Sequence, residues 1–91
     1  MKIESFKDFH LNENLIFRKT SNIMMVYNKD SGDMYEFNDV GSDIISLLRE
    51  DISIVQLQNR LTEIYDVDEE AMEEDVVLFL ERLIDLGVLV A

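Results

Sequence analysis

The stretch Asp68–Gly87 reads DEEAMEEDVVLFLERLIDLG, and it decides how the rest of the chain must fold. Asp68 can cap a helix, because its carboxylate accepts from the free amides of the first turn. Glu69 and Glu70 add negative charge where the helix dipole favours it. Gly87 can close the helix in the left-handed conformation without a Cβ penalty. Between these signals Met72, Val76, Phe79, Leu83 and Leu86 recur at three- and four-residue steps, which at about 100° per residue makes one apolar stripe. Val77, Leu80 and Ile84 stand off that stripe, roughly 80–140° from its centre and all on one side. The apolar arc is therefore about 180° wide, more than one neighbouring layer covers. Either another element of the chain buries the extra arc, or Val77, Leu80 and Ile84 form one wall of a groove for a partner.

Working upstream, Ser53-Ile54-Val55-Gln56 matches a capping box, in which Ser53 accepts from the Gln56 amide and Gln56 reaches back. A helix running from there to about Tyr65 buries Ile54 or Val55, Leu57, Leu61 and Ile64. Asn38 can cap a helix over Asp39–Arg49, whose Val40, Ile44, Leu47 and Leu48 share a face. Three short strands precede it: Leu15–Thr20, Ile23–Tyr27 and Asp33–Phe37. Ser21-Asn22 turns between the first two, and Asn28–Gly32 makes a five-residue hairpin loop with Gly32 available for positive φ. The third strand sets Tyr35 and Phe37 on one face and Met34 and Glu36 on the other. Residues 1–13 have no clean period, although Ile3, Phe6 and Phe9 would share a short helical face. They read as an N-terminal arm that docks on the domain or on a second copy, leaving 14–91 as the domain. After Gly87, Val88–Ala91 reads as a short extended tail. Strands followed by helices imply an α+β fold, a three-stranded antiparallel meander with three helices on one face. Two closely joined helices after a β ribbon also suit a winged helix-turn-helix.

Composition narrows the function. The 91 residues make one domain with a modest core, and carry a net charge of −12. Such a surface repels phosphate backbones and anionic membranes, so neither nucleic acid nor membrane is an expected partner. Apolar runs such as Val76–Leu80 are far short of the roughly 20 residues that span a bilayer. No signal peptide is visible and cysteine is absent, which fits a cytoplasmic protein.

Catalytic readings fail on inventory. His10 is the only histidine and lies in the arm, away from any nucleophile. The three glycines are isolated, so no phosphate loop exists. Asp66-Val67-Asp68-Glu69-Glu70 begins like a calcium loop, but Ala71 stands where glycine is needed and Val77 where the bidentate glutamate belongs. We therefore expect no enzyme, metal or cofactor. As a DNA reader the third helix would set eight acids and Arg82 alone against phosphates. Peptide binding keeps a physical mechanism: the third strand leaves one side of its backbone unpaired, and an extended peptide can add there while an apolar helix face supplies pockets.

The chain also resembles the PqqD-like RiPP recognition elements over about residues 11–89. The resemblance rests on Phe37-Asn38-Asp39-Val40-Gly41 with Ile44 and Leu47-Leu48, on Leu57 and Leu61, on Tyr65-Asp66-Val67-Asp68, and on Asp75-Val76, Phe79-Leu80, Leu83 and Gly87-Val88-Leu89. It implies a small winged-helix-like domain without catalytic activity. Such domains bind the leader of a ribosomally made precursor peptide and deliver it to a modifying enzyme, often a radical S-adenosylmethionine enzyme, or to a lasso-type leader peptidase and cyclase. In the family the leader lies as an added strand in the cleft between the third strand and third helix. Carried over, this implies Asp33, Met34, Tyr35, Glu36 and Phe37 on the strand, with Val77, Leu80, Glu81 and Ile84 across the cleft; Glu73 and Glu81 would meet basic leader residues. Leu80→Arg is then expected to abolish binding and spare the fold. The first ten residues exceed the usual family start, and Ile45 stands where an aromatic is common. The expected protein is a cytoplasmic peptide chaperone, monomeric or weakly dimeric. The alternative is an acidic winged-helix module that binds a protein in transcription regulation.

Overall fold

A computed structural model describes residues 3–91; the first two residues of the expected arm lie outside the described residues. A 3-10 turn over Ile3–Phe6 is followed by β1 (His10–Leu11), β2 (Leu15–Thr20), β3 (Ile23–Asn28) and β4 (Met34–Asn38). Helices α1 (Val40–Leu48), α2 (Ile54–Tyr65) and α3 (Glu69–Asp85) come next, and β5 (Leu89–Val90) ends the chain. Strands β2, β3 and β4 form an antiparallel meander in that order, so the α+β arrangement read from the sequence is the one observed.

The meander buries one face. Met24, Val26 and Asn28 of β3 point inward, with Leu15 of β2 and Phe37 of β4 beside them. Helix α1 covers this face with Ile44, Ile45 and Leu47, and reaches β2, where the Arg49 guanidinium lies 4.8 Å from the centre of the Phe17 ring. Ile45, which the first helix pattern did not count, is buried in the core. Asn38 does not cap α1. It is the last residue of β4, and Asp39 turns the chain with φ 48°, its carboxylate accepting from the Asn22 side chain at 3.0 Å. The Ser53 capping box forms as expected. On α2 it is Ile54, not Val55, that is buried, and Ile64 is exposed because Tyr65 takes the inward position in the last turn. The Tyr65 hydroxyl donates to Asp43, tying α2 to α1.

Asp68 caps α3 by accepting from the Ala71 amide at 3.2 Å. Gly87 ends it at φ 77°, where the Gly87 amide donates to the Ile84 carbonyl and the Val88 amide to the Leu83 carbonyl. That pair of bonds turns the chain back on itself. The tail does not simply pack: β5 pairs with β1 of the arm, and the Asn12 amide donates to the Val88 carbonyl at 2.9 Å. The arm thus docks on its own domain. Ile3 and Phe6 are buried in the core, the 3-10 turn lying against α2 and α3. Among the described residues no helix is long and apolar enough to cross a membrane.

Candidate functional site

The β3–β4 hairpin decides which backbone groups are free. Asn28 holds the loop, its side-chain oxygen accepting from the Asp30 amide at 2.9 Å and the Ser31 amide at 3.3 Å, while Gly32 takes φ 79°. The Asn28 amide donates to the Asp33 carbonyl at 2.9 Å. The register continues Tyr27↔Met34, Val26↔Tyr35, Met25↔Glu36 and Met24↔Phe37 without a bulge. Bonded pairs alternate along an antiparallel ladder. Tyr35 and Phe37 therefore spend their N–H and C=O groups on β3, and Asp33 its C=O, while the Asp33 amide donates to the Ser31 hydroxyl at 3.2 Å. Met34, Glu36 and Asn38 aim theirs away from the sheet, along the open edge of β4.

Helix α3 lies beside that edge. The rings of Phe37 and Phe79 meet edge to face, with centroids 5.5 Å apart and planes at 78°. Gly41 makes the approach possible, since a Cβ there would lie 3.0 Å from the Phe79 ring and 3.3 Å from the Phe37 Cβ. Further along, the Tyr35 hydroxyl donates to the Leu86 carbonyl at 3.4 Å. Partial desolvation, and then the neighbouring Asp33 carboxylate, push that phenol above its ordinary pKa, so it stays a donor. Phe79 and Leu86 mark the azimuth of α3 that faces β4. At about 100° per residue, Asp75, Leu78 and Arg82 come next on the outer side of that azimuth. Leu78 is 66% exposed, the most open large apolar side chain of the described residues.

The opposite flank of α3 carries the residues expected to form the groove wall. Val77 is about 160° round the helix from Phe79 and faces the arm, not β4. It is 6% exposed and Leu80 is 0% exposed, both closed over by the Ile3–Phe6 turn and α2. Glu73 accepts from the Ile3 amide at 3.2 Å. Ile84 and Glu81 line a cavity of about 350 Å³ with Phe6, Phe9, Ser5 and Asp85. The structure therefore brings Met34, Tyr35, Glu36 and Phe37 together on one strand, with Asp33 just before it at the end of the hairpin loop, and puts Glu73, Val77, Leu80, Glu81 and Ile84 on the far side of α3. The extra apolar arc exists to bury the arm. In the Asp66–Glu70 run, Asp66 ends α2 in the left-handed conformation and Asp68 caps α3. Among the described residues no group of three acids or histidines is placed to hold a metal.

The family model for coenzyme PQQ synthesis protein D, PqqD, matches residues 24–89, from the second strand of the meander to the tail. The chain belongs to the PqqD family. None of the curated proteins matches it in sequence. Among solved structures, TbiB1 in complex with the TbiA(beta) leader peptide superposes with a TM-score of 0.85 at 22% identity, covering 88% of this chain and 93% of that one. A lasso peptide synthetase B1 complexed with the leader peptide gives a TM-score of 0.81 at 23% identity, covering 92% and 99%. Both share the fold of this PqqD-family domain.

Sequence reasoning missed the residues of α3 that stand beside the open edge. Phe79 and Leu86 counted on the apolar stripe, Arg82 as the lone base of the helix and Asp75 as one of its eight acids. Leu78 carried a usable signal, as an apolar side chain among Glu74, Asp75, Glu81 and Arg82 on the polar side of the helix.

Proposed function

We propose that this PqqD-family domain binds the leader of a ribosomally made precursor peptide as a fourth strand on β4. The observation that carries the reading is the open β4 edge, with Met34, Glu36 and Asn38 aiming backbone groups outward beside the exposed Leu78 of α3. An added strand gains main-chain hydrogen bonds from that edge, and its alternate side chains settle on Tyr35, Leu78, Phe79 and Arg82. The role is non-catalytic: the domain concentrates the precursor and presents it to a modifying enzyme, either a radical S-adenosylmethionine enzyme or a lasso-type leader peptidase with its cyclase. The solved relatives, described as complexes with leader peptides, support this reading, as does family membership.

Fluorescence anisotropy tests it, with a labelled leader from the nearest short precursor gene and random duplex DNA, at about 0.15 M salt. Micromolar or tighter leader binding with no DNA binding is expected. The diagnostic variant is Glu36→Pro. It removes an amide that points away from β3, so the meander keeps its ladder while the edge loses a donor and gains a ring in the path of the incoming strand. Leader affinity should fall at least tenfold, from one lost bond of about 1 kcal/mol plus the obstruction. Full affinity in the folded variant rules out strand addition at β4.

A further inference from the structure

All three helices lie on one face of the meander, and the other face is bare. Its side chains come in three rungs across β2, β3 and β4: Ile16–Tyr27–Met34, Arg18–Met25–Glu36 and Thr20–Ile23–Asn38. Ile16 is 51% exposed and Met34 58%, with Ile23 and Tyr27 also open. A shallow depression of about 300 Å³ runs between Ile16, Arg18, Met25, Tyr27 and Met34. Five of nine positions are large apolar residues, which a permanently solvated sheet face does not need. The charge is equally unusual. The chain carries −12, yet this face holds one arginine and one glutamate and is neutral.

The placement of those two charges identifies the occupant. Arg18 and Glu36 flank Met25 on opposite outer strands of the same rung. Set a second copy face to face, related by a two-fold axis lying along β3. Strand β2 of one copy then lies over β4 of the other. Each Arg18 meets a Glu36 across the interface, twice by symmetry. Ile16 meets Met34, and Tyr27, Met25 and Ile23 meet their own counterparts near the axis. The other in-plane axis, across the strands, would set Arg18 against Arg18. We propose that the outer face of the meander is a self-association surface on which a second copy of this chain packs with Arg18 opposite Glu36.

The footprint is small, roughly 15 by 17 Å from strand spacing and rise, so the dimer belongs to the weak, reversible class. The open edge of β4 remains accessible in it, because stacking uses the sheet face and strand addition uses the sheet edge. Self-association therefore stands or falls independently of leader binding.

Sedimentation velocity and light scattering on the full chain, from about 20 µM to about 1 mM at roughly 0.15 M salt, test the proposal. Wild type should show a concentration-dependent shift towards dimer mass. Arg18→Glu alone, and Glu36→Arg alone, should each weaken association about tenfold, because both symmetric pairs turn repulsive. An equimolar mixture of the two variants should associate at least as well as wild type, since every contact is again of opposite sign. Restoration by mixing is not something a misfolded variant can imitate. A monomer at about 1 mM overturns the proposal, as does a dimer that either single reversal leaves intact or that mixing fails to restore. Leader affinity measured on Arg18→Glu reads the other function separately and is expected to be unchanged.

Discussion

Leu78→Ala separates a peptide-binding flank on α3 from a merely solvated one. Leu78 is 66% exposed, so about a third of its side chain already rests on the helix and the rest is open to water. Full burial of a leucine is worth about 1.5–3 kcal/mol. Covering the remaining two thirds under a bound strand is then worth about 1–2 kcal/mol, a factor of roughly 5–30 in affinity. Truncation to alanine forfeits most of that. It costs the fold little, because the position is on the open side of α3 and alanine is the better helix former. The assay is leader anisotropy alongside thermal unfolding. The expected result is a dissociation constant raised about 5–30-fold with Tm held or slightly increased. An unchanged dissociation constant would mean that the leader does not lie over this flank, and the placement of the site beside Phe79 would be refuted.

The remaining perturbations probe what holds the site in place. Leu80→Arg, which the sequence alone presented as a clean binding variant, should instead unfold the domain, because it forces a charge into a position that is 0% exposed; loss of the cooperative circular dichroism transition checks this. Phe6→Ala should lower stability by about 3–5 kcal/mol, as expected for emptying a buried aromatic site, and urea denaturation measures it. A drop below about 1 kcal/mol would show that the arm is detached in solution. Tyr65 supplies a pH dependence. Its hydrogen bond to Asp43 raises the phenol from 10.0 to about 12, so the folded state favours the protonated form. The resulting stability is present below pH 10 and is lost as pH rises towards 12. Exposure of the pair limits it to about 1 kcal/mol. Tyr65→Phe should flatten the unfolding midpoint between those two pH values while lowering it at neutral pH.

How far the sequence could reach is visible in α3. Its caps, length and wide apolar arc were legible because they depend on neighbours in the chain. Asp68 accepts from an amide three residues on, and Gly87 closes bonds to Leu83 and Ile84. The meander was legible for the same reason, since Asn28 and Gly32 specify the hairpin and the alternation of β4 specifies its faces. Periodicity, however, gives angles around a helix and not the direction in which the sheet lies. The arc was measured correctly, but which of its flanks met β4 depended on contacts far apart in sequence. Phe37 with Phe79 turns one flank towards the strand, and Ile3 with Glu73 closes the other.

The arm was the hidden term. Ile3 and Phe6 carry no helix signal long enough to stand out, because four residues of 3-10 turn are held by tertiary burial and not by local propensity. Once they are seated, Val77 and Leu80 are core, and the flank of the helix left exposed beside β4 is the one that looked polar. This explains why an exposed leucine there is informative. Where 20 acids keep most of the surface wet, an apolar side chain left open beside an unpaired strand edge has no folding role to account for it. The Phe37–Phe79 contact, which a glycine at position 41 leaves room for, keeps that edge and that leucine at a fixed spacing before any peptide arrives. A bound strand would then pay little to order its receptor, which is how a short open edge in a small domain can bind a flexible leader with useful affinity.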